Sequence, residues 1–148
     1  MPQIFRSALV PFSAKQMYEL VNDVSAYPLF LPGCTGSKVL EANEKQMMAS
    51  VNVSKLGISK TFVTRNILSD NQSIKMHLVN GPFRKLCGGW YFTPLSEDSC
   101  KVELDLEFEF TNMLVELAFG RIFKELASGM VQAFTQRASE VYSVKDCG

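Results

Sequence analysis

The chain has 148 residues, 15 Lys/Arg balanced by 15 Asp/Glu, and 47% hydrophobic residues. That length and apolar share suit a single domain, residues 1–148, with a substantial core. No run approaches the ~20 apolar residues of a membrane span, and Met1 to Gln16 lacks the continuous apolar centre of a signal peptide. A soluble cytoplasmic protein with no transmembrane segment is therefore expected.

The four cysteines, Cys34, Cys87, Cys100 and Cys147, include no Cys-x-x-Cys pair, and His77 is the only histidine. Such spacing suits neither a metal site nor a disulfide framework, so reduced thiols and no metal are expected. Charge is unevenly spread. Residues 1–85 hold ten bases and five acids, a balance of +5, and residues 86–148 hold five bases and ten acids, −5. A chain polarised this way can turn a basic face to a polyanion such as RNA, or can simply carry ordinary surface charge.

In chain order, Gln3 to Val10 reads as a strand ended by Pro11. Ser13 followed by Gln16 has the form of a capping box, with Phe12 placed to staple onto Met17. The helix it opens buries Met17, Leu20 and Val21 and ends near Asn22. Val24 to Cys34 then sets Tyr27, Leu29, Phe30 and Leu31 around Pro28 and Pro32. The prolines predict a helical turn or loop, whose large apolar residues must face inward or meet a partner.

From Ser37 to Phe110 the pattern changes to strands. Val39–Ala42 and Met47–Val53 flank a turn at Asn43-Glu44-Lys45, and Met47, Ala49, Val51 and Val53 share one face. Gly57 precedes a strand from Ile58 to Leu68. Asp70-Asn71-Gln72 makes the next turn, before Ile74, Met76 and Leu78 in alternation. Phe83 resumes after Gly81-Pro82, and Gly88-Gly89 inside this strand predicts a bulge or sharp bend. From Lys101 to Phe110, Val102, Leu104, Leu106, Phe108 and Phe110 alternate with Glu103, Asp105, Glu107 and Glu109, predicting a buried face and a wet, acidic one.

Asn112 to Tyr142 contains no proline, and Phe119, Ile122, Phe123, Leu126, Met130, Ala133 and Phe134 fall on one helical face. Asn112 can cap this helix and Glu116 suits its positive end. At ~1.5 Å per residue it runs roughly 45 Å, long enough to cover a sheet. The expected fold is α+β: about seven antiparallel strands in a curved sheet gripping the long C-terminal helix, with short helices after the first strand.

Catalytic residues are not in view. By alternation His77 faces solvent, the acids of 103–109 have no base among them, and Cys87-Gly88-Gly89-Trp90 lacks the lysine and following helix of a phosphate loop. An apolar cavity is the alternative. Tyr27, Phe30, Leu31, Phe62, Phe83, Leu86, Trp90, Phe92, Phe119, Phe123 and Leu126 can line a gap between sheet and helix, or can fill a solid core.

Three ordered motifs point further. Val21-Asn22-Asp23-Val24-x-x-Tyr27-Pro28-x-Phe30-Leu31-Pro32-Gly33-Cys34 resembles the opening signature of the START-like polyketide cyclase/dehydrase family. Gly81-Pro82-Phe83-x-x-Leu86-x-x-x-Trp90-x-Phe92-x-Pro94-Leu95 resembles its second. The tail from Phe108 through Ala118-Phe119-Gly120-Arg121-Ile122-Phe123 to Phe134 completes a match over essentially the whole chain. This resemblance implies a helix-grip fold, akin to Bet v 1, and two non-catalytic roles. In the first, a toxin binds the large (50S) ribosomal subunit, stops it joining the small one, and has an antitoxin partner. In the second, the cavity holds ubiquinone or another isoprenoid lipid, with no cofactor required, and supports respiration. DNA is not among the expected partners. On charge alone, Lys55, Lys60, Arg65, Lys75, Arg84 and Lys85 are the candidates to face ribosomal RNA.

Overall fold

A computed structural model describes residues 3–55 and 57–142. Seven strands, β1 (Gln3–Val10), β2 (Cys34–Ala42), β3 (Gln46–Lys55), β4 (Ile58–Ser69), β5 (Ser73–Asn80), β6 (Phe83–Ser96) and β7 (Ser99–Phe110), form one sheet. Its order is β1-β7-β6-β5-β4-β3-β2, antiparallel throughout. Two helices, α1 (Ala14–Asn22) and α2 (Met113–Tyr142), and a 3-10 turn at Val24–Leu29 complete the helix-grip arrangement. Each strand from β2 to β7 pairs with the next through a short turn. The first strand closes the sheet by pairing with the last.

The local signals explain most element ends. The capping box forms: Ser13 Oγ accepts from the Gln16 amide at 3.1 Å, and Gln16 Oε1 accepts from the Ser13 amide at 2.9 Å. The Phe12 ring meets Tyr142 of α2, 5.9 Å between centroids. Asn112 Oδ1 accepts from the Val115 amide at 3.0 Å and caps α2, with Glu116 in its first turn. Asn71, in the β4–β5 turn, takes a φ of 62°, which asparagine tolerates better than most residues.

The apolar stripe of α2 is buried at Phe119, Ile122, Phe123, Leu126 and Phe134, and partly at Met130 and Ala133. Ala127, Val131 and Ala138 widen it. Against this helix lies the inward phase of the sheet, including every second residue of β7 from Cys100 to Phe110. Helix and sheet thus share one core.

Three expectations need correction. Gly88-Gly89 makes no bulge: β6 keeps unbroken register there with β5 and β7, and its shifts fall at Phe83/Lys85 and Pro94/Ser96. The glycines instead permit close approach, since a Cβ on Gly88 (φ 143°) would sit 2.0 Å from the Asp105 carbonyl oxygen. Leu29 does not face inward: it is 73% exposed while Tyr27 and Leu31 on either side of it are buried, which leaves it the partner alternative alone. The acids of β7 are half-buried rather than freely wet, flanked on one side by β1 and on the other by β6. Glu107 pairs with Lys85 at 3.6 Å, Glu109 with Arg84 at 3.2 Å, and Asp105 accepts from Gln3 at 2.8 Å.

Candidate functional site: an apolar void under the terminal helix

Between the sheet and α2 lies a void of about 60 Å³. Tyr27, Leu31, Phe62, Leu86, Trp90 and Phe123 line it, together with Val24, Ala49, Val51, Thr64, Asn66, Met76, Leu106, Ala127 and Met130. The 3-10 turn supplies Tyr27, whose hydroxyl donates to the Val21 carbonyl and is thereby already partnered. Burial and the neighbouring Cys34 and Asp23 push the Tyr27 phenol well above its ordinary range, so it stays neutral. Trp90, 1% exposed, forms part of the floor from the middle of β6.

The other cavity candidates sit elsewhere. Phe83 stacks on Phe110 at 5.1 Å and meets Phe62, Phe119 and Phe123 edge-on, which makes a filled aromatic cluster. Phe92 lies parallel to Trp90 and edge-on to Tyr18, filling the end nearest α1. Phe30 packs edge-on to Phe134 at 5.1 Å, beneath the Arg137 guanidinium at 5.2 Å. Leu126 faces a second space, a cleft of about 300 Å³ outside the void, bounded by Leu31, Pro32, Gly33, Ser54, Lys55, Ile122, Glu125 and Gly129. Leu31 borders both spaces.

Thr64 and Asn66 did not stand out in the sequence. Both lie on the inward phase of β4, 7% and 6% exposed, and Thr64 Oγ1 donates to Asn66 Oδ1 at 2.8 Å. The signal was available. Polar residues occupy two consecutive places between Phe62 and Leu68, in an alternation whose only other polar member, Lys60, lies exposed near the strand end.

The basic candidates divide by location. Lys55 bonds Glu125 of α2 at 2.8 Å across the cleft, and this lowers the Glu125 carboxyl's pKa, with Arg121 assisting. Arg84 and Lys85 are paired with the β7 acids. Arg65 and Lys75 lie on the outer phase of β4 and β5, where Arg65 stands across from His77 and hydrogen-bonds Gln46 at 2.9 Å. Lys60 shares the phase of Phe62 but sits exposed near the end of β4. Among the described residues, Lys60, Arg65 and Lys75 form no ion pair.

His77 is exposed on the outer face, between Arg65 and Cys87. Among the described residues no three His, Cys, Asp or Glu side chains gather to hold a metal, and no helix is long and apolar enough to cross a membrane. Cys34, Cys87 and Cys100 are free thiols, and burial raises the pKa of Cys34 and Cys100; Cys147 lies outside the described residues. On the opening turns of α2, Met113, Leu114 and Leu117 stand exposed.

Comparison with known proteins agrees with this architecture. The chain is 70% identical over 145 residues to the persistence and stress-resistance toxin PasT of Escherichia coli O6:H1, covering 98% of this chain and 92% of that protein. It is 69% identical, with the same coverage, to the ribosome association toxin RatA of Escherichia coli K12. The coenzyme Q-binding protein COQ10 homolog B of Xenopus laevis is 30% identical over 140 residues, 92% of this chain and 57% of that one. Among solved structures, the Zhui aromatase/cyclase from a Streptomyces species superposes with a TM-score of 0.82 at 15% identity, covering 93% of each chain, a likeness of fold alone. Residues 10–135 match the family model described as polyketide cyclase/dehydrase and lipid transport, and the chain belongs to that family.

Proposed function

We propose that the protein is a non-enzymatic ribosome-association toxin that binds the large ribosomal subunit and keeps the small one from joining it. The observation that carries this is the 69% identity, over nearly the whole chain, to a protein named for that association. The outer-face cations Arg65 and Lys75, with Lys60 at the strand end, support it, because among the described residues none of the three forms an ion pair. The role calls for a cytoplasmic protein, and for an antitoxin to restrain it. Sucrose gradients of separated subunits mixed with excess purified protein test the proposal. The joined-ribosome peak should shrink in favour of free subunits, more strongly at low salt. An unchanged peak would refute it.

A second reading has its own support in the apolar void and the coenzyme Q-binding relative. In it the protein holds ubiquinone or a similar isoprenoid lipid. Solvent extraction of protein expressed alongside quinone-containing membranes, followed by mass spectrometry, should recover quinone in near-stoichiometric amount. Repeated absence would remove this reading.

A further inference from the structure

We infer that the open edge of β1 is an interface between two copies of this chain, which join through it into one continuous sheet. β1 and β2 are the two edges of the sheet, and only β2 is guarded. It carries Lys38 and Glu41, and its register shifts at Cys34/Gly36 and again at Val39/Glu41. Ser37 Oγ also ties its first half to the 3-10 turn, donating to the Val24 carbonyl at 2.6 Å. Charges, bulges and covering segments are the means by which natural sheets keep an edge from pairing. β1 has a single charge, Arg6, and its eight residues run in unbroken register with β7. On its outer face Phe5 and Leu9 stand 50% and 71% exposed.

The backbone of β1 is presented to the same side. The Phe5 carbonyl accepts from Arg6 Nη1 at 2.8 Å, and that guanidinium also reaches Ser128 of α2 at 3.4 Å, so the carbonyl faces the open edge rather than β7. In an antiparallel strand the N–H and C=O of one residue share a side, and the side repeats every second residue. Phe5, Ser7 and Leu9 therefore offer their backbone groups to the edge. Among the described residues no other strand meets it.

The occupant follows from the strand's own sequence. An antiparallel copy paired about a twofold axis at Ser7 sets Phe5 against the partner's Leu9, and Arg6 against the partner's Ala8. The exposed apolar side chains then cover each other, and no like charges meet. A groove of about 480 Å³ lies between this edge and α2, bordered on the helix by Ser128, Gln132, Thr135 and Gln136. Among the described residues Arg6 is the only charged side chain on its walls. Such depletion of charge suits the core of a protein interface and not a nucleic acid. Hydroxyl and amide groups both donate and accept, so the helix strip can meet its own copy across the axis. About six backbone bonds, with Phe5 and Leu9 from each copy, fall short of the roughly 1,200–2,000 Å² of a stable interface. The dimer should accordingly be weak, with a dissociation constant of about 10–100 μM.

Sedimentation equilibrium of the purified chain between about 1 and 500 μM should show the mass rising from that of a monomer toward twice that value. Ser7→Pro removes an edge-facing amide, a change that edge strands tolerate. Leu9→Glu replaces the apolar contact with a carboxylate beside Lys101 of its own chain. Each should weaken association by about tenfold or more. If circular dichroism shows Ser7→Pro to be unfolded, Leu9→Glu decides, because its site is exposed in the monomer. Leu40→Glu on the β2 edge should leave association unchanged. The register has its own readout. In a background of Cys87→Ser and Cys147→Ser, Ser7→Cys should cross-link on air oxidation, since facing Cα atoms about 5.5 Å apart suit a disulfide. Gln3→Cys, exposed on the same strand but distant from its own copy, should not. A monomer at every concentration overturns the proposal and leaves the edge to another protein's strand. A dimer indifferent to Leu9→Glu, or one that cross-links as fast through Gln3→Cys as through Ser7→Cys, overturns it too.

Discussion

Replacing Gly88 by alanine tests whether the centre of the sheet depends on backbone contact. The added Cβ would lie 2.0 Å from the Asp105 carbonyl oxygen and 2.9 Å from Leu106 Cα, about 1 Å inside the 3.0 Å that real Cβ atoms respect. Both near atoms belong to the backbone of β7, so no rotamer change relieves the clash; β6 and β7 must part. One or two ladder hydrogen bonds then weaken at about 1 kcal/mol each. Holding alanine at a φ of 143° adds roughly 1–3 kcal/mol more. The expected loss is about 2–5 kcal/mol, a large part of the 5–15 kcal/mol typical of a domain. Urea denaturation followed by circular dichroism measures it as a lower midpoint at unchanged slope. Gly129→Ala is the control: with nothing near its Cβ it should gain about 1 kcal/mol of helix propensity. A Gly88→Ala protein within about 0.5 kcal/mol of the parent would refute the reasoning.

Phe123→Ala removes a ring that meets Phe83 at 4.8 Å and Phe108 at 5.0 Å, and should cost about 3–5 kcal/mol in the same urea assay while enlarging the void enough to raise binding of an apolar dye. Arg65→Ala with Lys75→Ala should weaken binding to the large subunit and flatten its salt dependence by about two in log–log slope, whereas Lys55→Ala, whose charge Glu125 already meets, should leave the slope unchanged. The raised Tyr27 pKa gives a pH signature: its contribution is fully present below the ordinary value of 10.0 and is lost as pH rises toward the higher folded-state value. Tyr27→Phe should therefore lower stability at neutral pH by about 1 kcal/mol, through the bond lost to Val21, and make the alkaline limb of a melting-temperature profile shallower. An alkaline limb identical to the parent's would show that the phenol does not titrate on unfolding.

Strand phases, turns and caps were legible in the sequence because each depends on neighbours a few residues away. The Ser13–Gln16 box, the Asn112 cap and the alternation of β7 needed only periodicity and side-chain chemistry, and together with the length of the last helix they led to a sheet wrapped around it. Whether an inward aromatic fills space or borders it was not legible, because that turns on how residues distant in sequence interlock. Phe83 and Phe119 vanish into a solid cluster, while Trp90 and Phe123 touch a void. Register, too, belongs to the tertiary structure: it sets Arg84 and Lys85 against the β7 acids and leaves Arg65 and Lys75 without them, although all four read alike as positive charges along the chain. Thr64 and Asn66 show both levels at once. Their place on the inward phase could be read by counting along β4, but only the closed fold sets them beside a void rather than in a solid core.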